Sequence, residues 1–212
     1  MKRIQKKSPA NHFTHDHGSW RRPCIQFIVL VLLTSLFIGS PAFPSDDALG
    51  ILQALKSGEH FALLRHATAP GTGDPPQFTL AKCETQRNLS DEGRNQAVRI
   101  GARFRKNGIM AARVFSSQWC RCLETARLLD IGIVNELPVL NSFFQNHSRR
   151  EPQTRQLSQW LKWQPLKTPL VLVTHQVNIT ALTGIYPRSG EMVIVHRSLS
   201  GKMTPLGTIS AP

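Results

Sequence analysis

Short unbroken apolar runs alternate with segments of helical periodicity through most of the chain. Phe61-Ala62-Leu63-Leu64 and Leu170-Val171-Leu172-Val173 are continuous apolar stretches, and Arg113-Val114-Phe115 is a weaker third. Strands without polar alternation are covered on both faces, which points to a mostly parallel sheet between helical layers. Between them, Ser90 is a suitable N-cap with Asp91 and Glu92 in the first turn, and Ala97, Ile100, Gly101 and Phe104 recur at helical spacing until Gly108. Further helices are predicted from about Cys120 to Leu129, from about Gln153 to Trp163 before Pro165, and from about Val177 to Thr183 before Gly184 and Pro187. With no internal repeat and no second core, the pattern predicts a single three-layer α/β/α sandwich over residues 43–212.

The N-terminal pattern is different. A basic segment holding Lys2, Arg3, Lys6, Lys7, Arg21 and Arg22 precedes the apolar run Ile25 to Ile38, and Gly39-Ser40-Pro41-Ala42 follows it. These are the parts of a secretory signal peptide, with cleavage expected after Ala42. The 14-residue run is short against the roughly 20 residues that cross a bilayer. Anchoring of the chain through residues 25–38 is therefore the rival reading, and no stable membrane insertion is expected of the mature domain.

Removing that segment changes the meaning of the charge. The whole chain carries 26 Lys and Arg against 13 Asp and Glu, but residues 43–212 carry 20 against 12. The basic cluster Arg94, Arg99, Arg103, Arg105 and Lys106 lacks the interleaved aromatics of a single-strand binder, so it reads as a solvated helix face and no nucleic-acid partner is expected. Cys83, Cys120 and Cys122 remain after loss of Cys24, an odd count that permits one disulfide. Cys120 and Cys122 diverge at the start of a helix, which favours either of them pairing with Cys83 over pairing with each other. Cys-Arg-Cys offers too few ligands for zinc, and no metal or cofactor is expected.

The chemistry collects at strand ends, where open α/β sheets bind ligands. The first strand runs into Arg65-His66, the second into Ser116-Ser117 with Arg121 opening the next helix, and the late strand into Thr174-His175. Two guanidinium groups suit the oxygens of a phosphoryl group, assisted by free N–H groups at helix starts near Arg121 and Gln176. Neighbouring positive charge keeps an imidazole neutral, and a neutral imidazole is a nucleophile towards phosphorus.

At these residues the sequence resembles the histidine phosphatase superfamily, the phosphoglycerate-mutase-like fold. Leu64-Arg65-His66-Ala67 is similar to its Arg-His-Gly signature. Ser116 to Ala126 is similar to its Ser-x-x-x-Arg-x-x-x-Thr-Ala helix start, Val173-Thr174-His175 to its late-strand histidine, and Asn88-Leu89-Ser90-Asp91-Glu92-Gly93 to its Leu-Thr-x-x-Gly segment. The resemblance implies a phosphomonoester hydrolase with His66 as nucleophile through a covalent phosphohistidine. Arg65, Arg121 and His175 would bind the phosphoryl group of a small phosphorylated substrate. Ala67 departs from the usual Gly, and Leu140 to Gln145 lacks the glutamate that serves many members as general acid; Asp74 and Glu151 stand as alternatives for that role.

Other features carry less. His60, His147 and His196 are assigned structural or solvent roles, although His147 lies in a loop able to close over substrate. Thr72 and Gly73 belong to a Gly/Pro loop read as a turn more than a phosphate cradle. Trp119, Trp160 and Trp163 read as packing residues. The overall expectation is an exported, periplasmic phosphatase. An envelope sugar-phosphate phosphatase and a weakly catalytic phosphate-binding protein of the same fold are the alternatives.

Overall fold

A computed structural model describes residues 46–212 of the chain. The expected signal segment 1–42 lies outside the described residues. The elements, in order, are α1 (Asp46–Gln53), β1 (His60–Arg65), α2 (Asp91–Lys106), β2 (Arg113–Ser116) and α3 (Cys120–Leu128), then β3 (Val134–Glu136), α4 (Arg150–Lys162), β4 (Leu170–Thr174), α5 (Gln176–Thr183), β5 (Met192–Arg197) and β6 (Met203–Ile209).

The six strands form one sheet in the order β3-β2-β4-β1-β5-β6. The pairings from β3 to β1 are parallel, and β5 pairs antiparallel with both β1 and β6. Period-two alternation divides the side chains between two cores. Ala62, Leu64, Val171, Val173 and Ile194 join Leu52, Ile100, Phe104 and Ala126 from α1, α2 and α3. Phe61, Leu63, Leu170, Leu172, Val193 and Val195 join Leu157, Leu161 and Ile179 from α4 and α5. This is the expected α/β/α sandwich, and each large side chain sealed in either core contributes about 1.5–3 kcal/mol.

Register positions the site. Arg65 pairs with Thr174 and Ser116 with Val173, so the ends of β1, β4 and β2 lie side by side with β4 in the middle. The ladders extend one residue further: the His66 amide donates to the Thr174 carbonyl and the Ser117 amide to the Val173 carbonyl, both at 3.0 Å. His175 therefore emerges between His66 and Ser117.

Ser90 caps α2 as expected, its hydroxyl accepting the Gly93 amide at 3.1 Å. Gly93 is there for close approach: a Cβ at this position would lie 2.0 Å from the Thr68 carbonyl oxygen, so only glycine lets α2 reach the segment that follows His66. α4 begins at Arg150, three residues before the predicted start, because Pro152 sits in its first turn, where the missing N–H costs nothing. The basic face of α2 is not simply solvated. Arg94 pairs with Glu124 and Asp91, Arg99 with Glu92, and Arg105 donates to the Leu129 carbonyl at 2.7 Å. Trp160 packs edge-on against Phe115, whereas Trp163 is 78% exposed, contrary to its reading as a packing residue, because it falls past the last turn of α4. No helix among the described residues is long and apolar enough to cross a membrane.

Candidate active site

His66 is buried directly after β1, and its Nδ1 lies 2.8 Å from its neighbour's carbonyl, Ala67 O. A carbonyl only accepts, so Nδ1 carries the proton and Nε2 keeps its lone pair. The Ala67 amide in turn donates to Thr125 Oγ1 at 3.1 Å, and that hydroxyl donates to the Arg121 carbonyl at 2.6 Å. One threonine on α3 thus ties the turn bearing His66 to the backbone of Arg121. Ala67, which departs from glycine here, is fully buried.

The ring of His175 stands edge-on to that of His66, with centroids 5.5 Å apart, and Trp119 stands edge-on to His175 at 5.3 Å. His175 Nε2 lies 2.8 Å from the Ser117 hydroxyl and 3.5 Å from the Cys122 thiol. Burial first, then the charge of Arg121, holds both imidazoles well below their ordinary pKa of 6.5; Arg87 and Arg65 act in the same direction. Both rings are neutral at neutral pH.

Arg121 is buried on the first turn of α3, where it meets Asp74 end to end. Nη1 donates to Oδ1 at 2.7 Å and Nη2 to Oδ2 at 3.0 Å, with both side chains almost wholly sealed. The Arg87 amide and the Trp119 indole add bonds to the same carboxylate, each at 3.0 Å. Burial alone would raise the Asp74 pKa, but the hydrogen bonds and charge of Arg121, with those two donors, outweigh it and hold the carboxyl below its ordinary value. Arg65 donates from Nη1 to the Pro187 carbonyl at 2.9 Å. The Nε atoms of Arg65 and Arg121 are both buried without a protein partner. Two orphaned cationic donors beside a neutral imidazole are what an incoming anion would satisfy.

These groups line a cavity of about 130 Å³, completed by Gly71, Thr72, Gly73, Arg87, Ser142, Phe144, Gln145, Gln176, Val177 and Tyr186. The Gly/Pro loop expected to be only a turn is a wall of this cavity. Of the two alternatives for the acid, Asp74 lies in the wall, while Glu151 is exposed on α4 and absent from it. His147 also lies outside the lining and is exposed beside Phe144. All four predicted residues, Arg65, His66, Arg121 and His175, come together.

Sequence reasoning missed Arg87. It holds the cavity loop by donating from Nε to the Gly73 carbonyl at 2.7 Å and from Nη1 to the Ala69 carbonyl. The signal that would have found it is Cys83, four residues earlier. Cys83 is joined to Cys120 by a disulfide with a Cα–Cα separation of 5.6 Å, which sets the Arg87 segment against the first turn of α3. Among the described residues Cys122 is the free, buried thiol. Among the described residues no three His, Cys, Asp or Glu side chains converge as a metal site.

A family model described as histidine phosphatase superfamily (branch 1) matches residues 61–141, which include His66, Arg87 and Arg121 and stop short of His175. No curated protein matches the sequence significantly. Solved structures share the fold at low identity. The protein histidine phosphatase SixA complexed with tungstate is 15% identical with a TM-score of 0.52, over 71% of this chain and 96% of that one. A structure described as mycobacterial hydrolase 2 is 18% identical with a TM-score of 0.51, over 73% and 92%. Phosphoserine phosphatase from Entamoeba histolytica, in complex with 3-phosphoglyceric acid, is 11% identical with a TM-score of 0.51, over 72% and 97%.

Proposed function

We infer that this chain, a member of the histidine phosphatase superfamily, hydrolyses phosphomonoesters by passing the phosphoryl group through His66. One observation carries the reading: a buried imidazole with its Nε2 lone pair free shares a cavity with two arginines whose buried Nε donors have no protein partner. Three arginines against one carboxylate leave the cavity with an excess of two positive charges, matched to a phosphoryl dianion.

In the first step Nε2 of His66 forms the N–P bond as the P–O bond to the leaving group breaks. The ring proton stays on Nδ1, held by the Ala67 carbonyl, so the phosphorylated ring is cationic. Arg65, Arg121 and His175 bind the transferring oxygens, where the charge on the phosphoryl group is concentrated. In the second step a water oxygen bonds to phosphorus, the N–P bond breaks, and dihydrogen phosphate leaves with both water protons.

The substrate is a small phosphorylated molecule. The Cys83–Cys120 disulfide supports an exported site of action, because such bonds persist in oxidising compartments.

The test is hydrolysis of an aryl phosphate by the protein together with base-quenched mass spectrometry, which preserves phosphohistidine. A phosphate adduct on the peptide containing His66 is expected during turnover, and His66→Ala should abolish both adduct and hydrolysis. Equal rates for the variant and its parent would sink the mechanism.

A further inference from the structure

Asp74 is the only carboxylate lining the cavity among the described residues. A proton donor must hold a proton at working pH and have an oxygen free to deliver it. Asp74 meets neither condition. Oδ1 accepts from Arg121 Nη1 at 2.7 Å and from the Arg87 amide at 3.0 Å; Oδ2 accepts from Arg121 Nη2 and from the Trp119 indole, both at 3.0 Å. Every one of these partners is a donor, so a proton on either oxygen would face an N–H group in place of a lone pair. The carboxylate does have a geometrical effect. By taking the terminal Nη1–Nη2 edge of Arg121 it fixes the guanidinium plane and leaves Nε, buried without a protein partner, as the donor still unsatisfied.

We propose that Asp74 is a positioning residue for Arg121 and not a proton donor, and that the site therefore acts on phosphate esters whose leaving group departs as an anion: aryl, enol and acyl phosphates ahead of alkyl phosphates. The proposal rests on the phosphatase reading above. In the step it concerns, the P–O bond breaks with its electron pair remaining on the leaving oxygen, which takes no proton from the protein. Phe144 and Tyr186 on the cavity rim are suited to an aromatic or other flat leaving group.

The experiment is a leaving-group series on the full chain: substituted phenyl phosphates of graded phenol pKa and a primary alkyl phosphate, for the wild type and for Asp74→Asn. A general acid typically supplies about 10²–10⁴-fold. The wild type is therefore expected to fall by more than about 10²-fold from p-nitrophenyl to alkyl phosphate. Asp74→Asn should lose up to about 10²-fold, by the same factor for every member of the series. In an Arg121→Lys background, where the two-point grip is already lost, the same substitution should cost little more. A merely structural role would instead add its full factor to that of Arg121→Lys and overturn the assignment. So would an Asp74→Asn loss confined to poor leaving groups, since that pattern belongs to a proton donor. If the variant does not fold, the wild-type series decides alone, and equal turnover of aryl and alkyl esters overturns the proposal. Absence of hydrolysis for every ester is a different result and counts against the phosphatase reading itself.

Discussion

The Ser117 hydroxyl lies 2.8 Å from Nε2 of His175 and 3.2 Å from Asn141 Oδ1. Asn141 Oδ1 accepts both the Ser117 hydroxyl and the Gln118 amide, the latter at 2.9 Å. The contact between the hydroxyl and Nε2 sets which nitrogen of the His175 ring carries the proton. Removing the hydroxyl leaves the buried ring to choose its tautomer unaided, at a cost of about 1–3 kcal/mol. Ser117→Ala is expected to lower kcat/KM for an aryl phosphate by about 10–100-fold, with KM for substrate changing less than kcat. Activity within twofold of the wild type in steady-state assays would show that the hydroxyl does not set the tautomer.

The Cys83–Cys120 bond closes a loop of 37 residues, and a cross-link of that span contributes about 3–4 kcal/mol in the chain-entropy account. It also joins the segment of Arg87 to the helix of Arg121. The Gln86 side chain accepts the Cys120 amide at 3.0 Å beside it. Cys83→Ser is expected to lower the Tm by several degrees and to reduce turnover, and the same change should follow treatment of the wild type with a reductant. Cys122 will not substitute as a partner: burial pushes its thiol up to about 12. In a thiol-titration assay Cys122 should not react until the protein is unfolded, and rapid labelling of it in the folded state would contradict this.

The strands carrying the site were legible because their chemistry follows an uninterrupted apolar run: Phe61 to Leu64 leads into Arg65-His66, and Leu170 to Val173 into Thr174-His175. β5 and β6 were not identified. The Met192 to Val195 run is as apolar as β1, but it follows a Pro/Gly turn and lies outside the βαβ alternation, while β6 includes Pro205 and Gly207, which suit an edge strand. Val134–Glu136 is only three residues long, too short for any period to be read. The four central residues of the site could be named because each adjoins a strand end or a helix start. Arg87 and the grip of Asp74 on Arg121 could not, since both depend on how an irregular segment folds back across the strand ends. That path is set by one disulfide and a few side-chain-to-backbone bonds with no periodic signal.

Gly93 gives a test of packing behind His66. Its missing side chain lets the first turn of α2 sit on the Thr68 carbonyl, two residues beyond His66. The contact is with backbone, which cannot rotate away, so Gly93→Ala must push the helix or the His66–Thr68 segment aside. Overpacking of this kind costs about 1–3 kcal/mol. Helix propensity alone would favour alanine by roughly 1 kcal/mol, so the two effects oppose each other and the steric one should win. Denaturant unfolding is expected to show a net loss of stability accompanied by reduced kcat, and a stabilised variant would mean that the approach is looser than the distance implies.

The pH dependence of stability follows from the two buried imidazoles. In the unfolded chain His66 and His175 take protons near their ordinary value of 6.5, whereas desolvation and then the arginine charges keep both neutral in the fold to well below it. As pH falls through 6.5 the unfolded state binds more protons than the native one, and stability must decline. The effect is absent above 6.5 and amounts to at most about 1.4 kcal/mol per pH unit for each imidazole below it. Asp74 shifts in the same downward sense from 3.8, so its contribution is retained until the pH reaches that lower range and is lost only as the carboxylate protonates. Stability measured by denaturant unfolding should be level from pH 8 to 7 and fall between pH 6.5 and 5. His175→Gln, which keeps a polar side chain but removes one titrating group, should shallow that fall. An unchanged slope in the variant would show that His175 is protonated in the fold and that the arginines do not govern its charge.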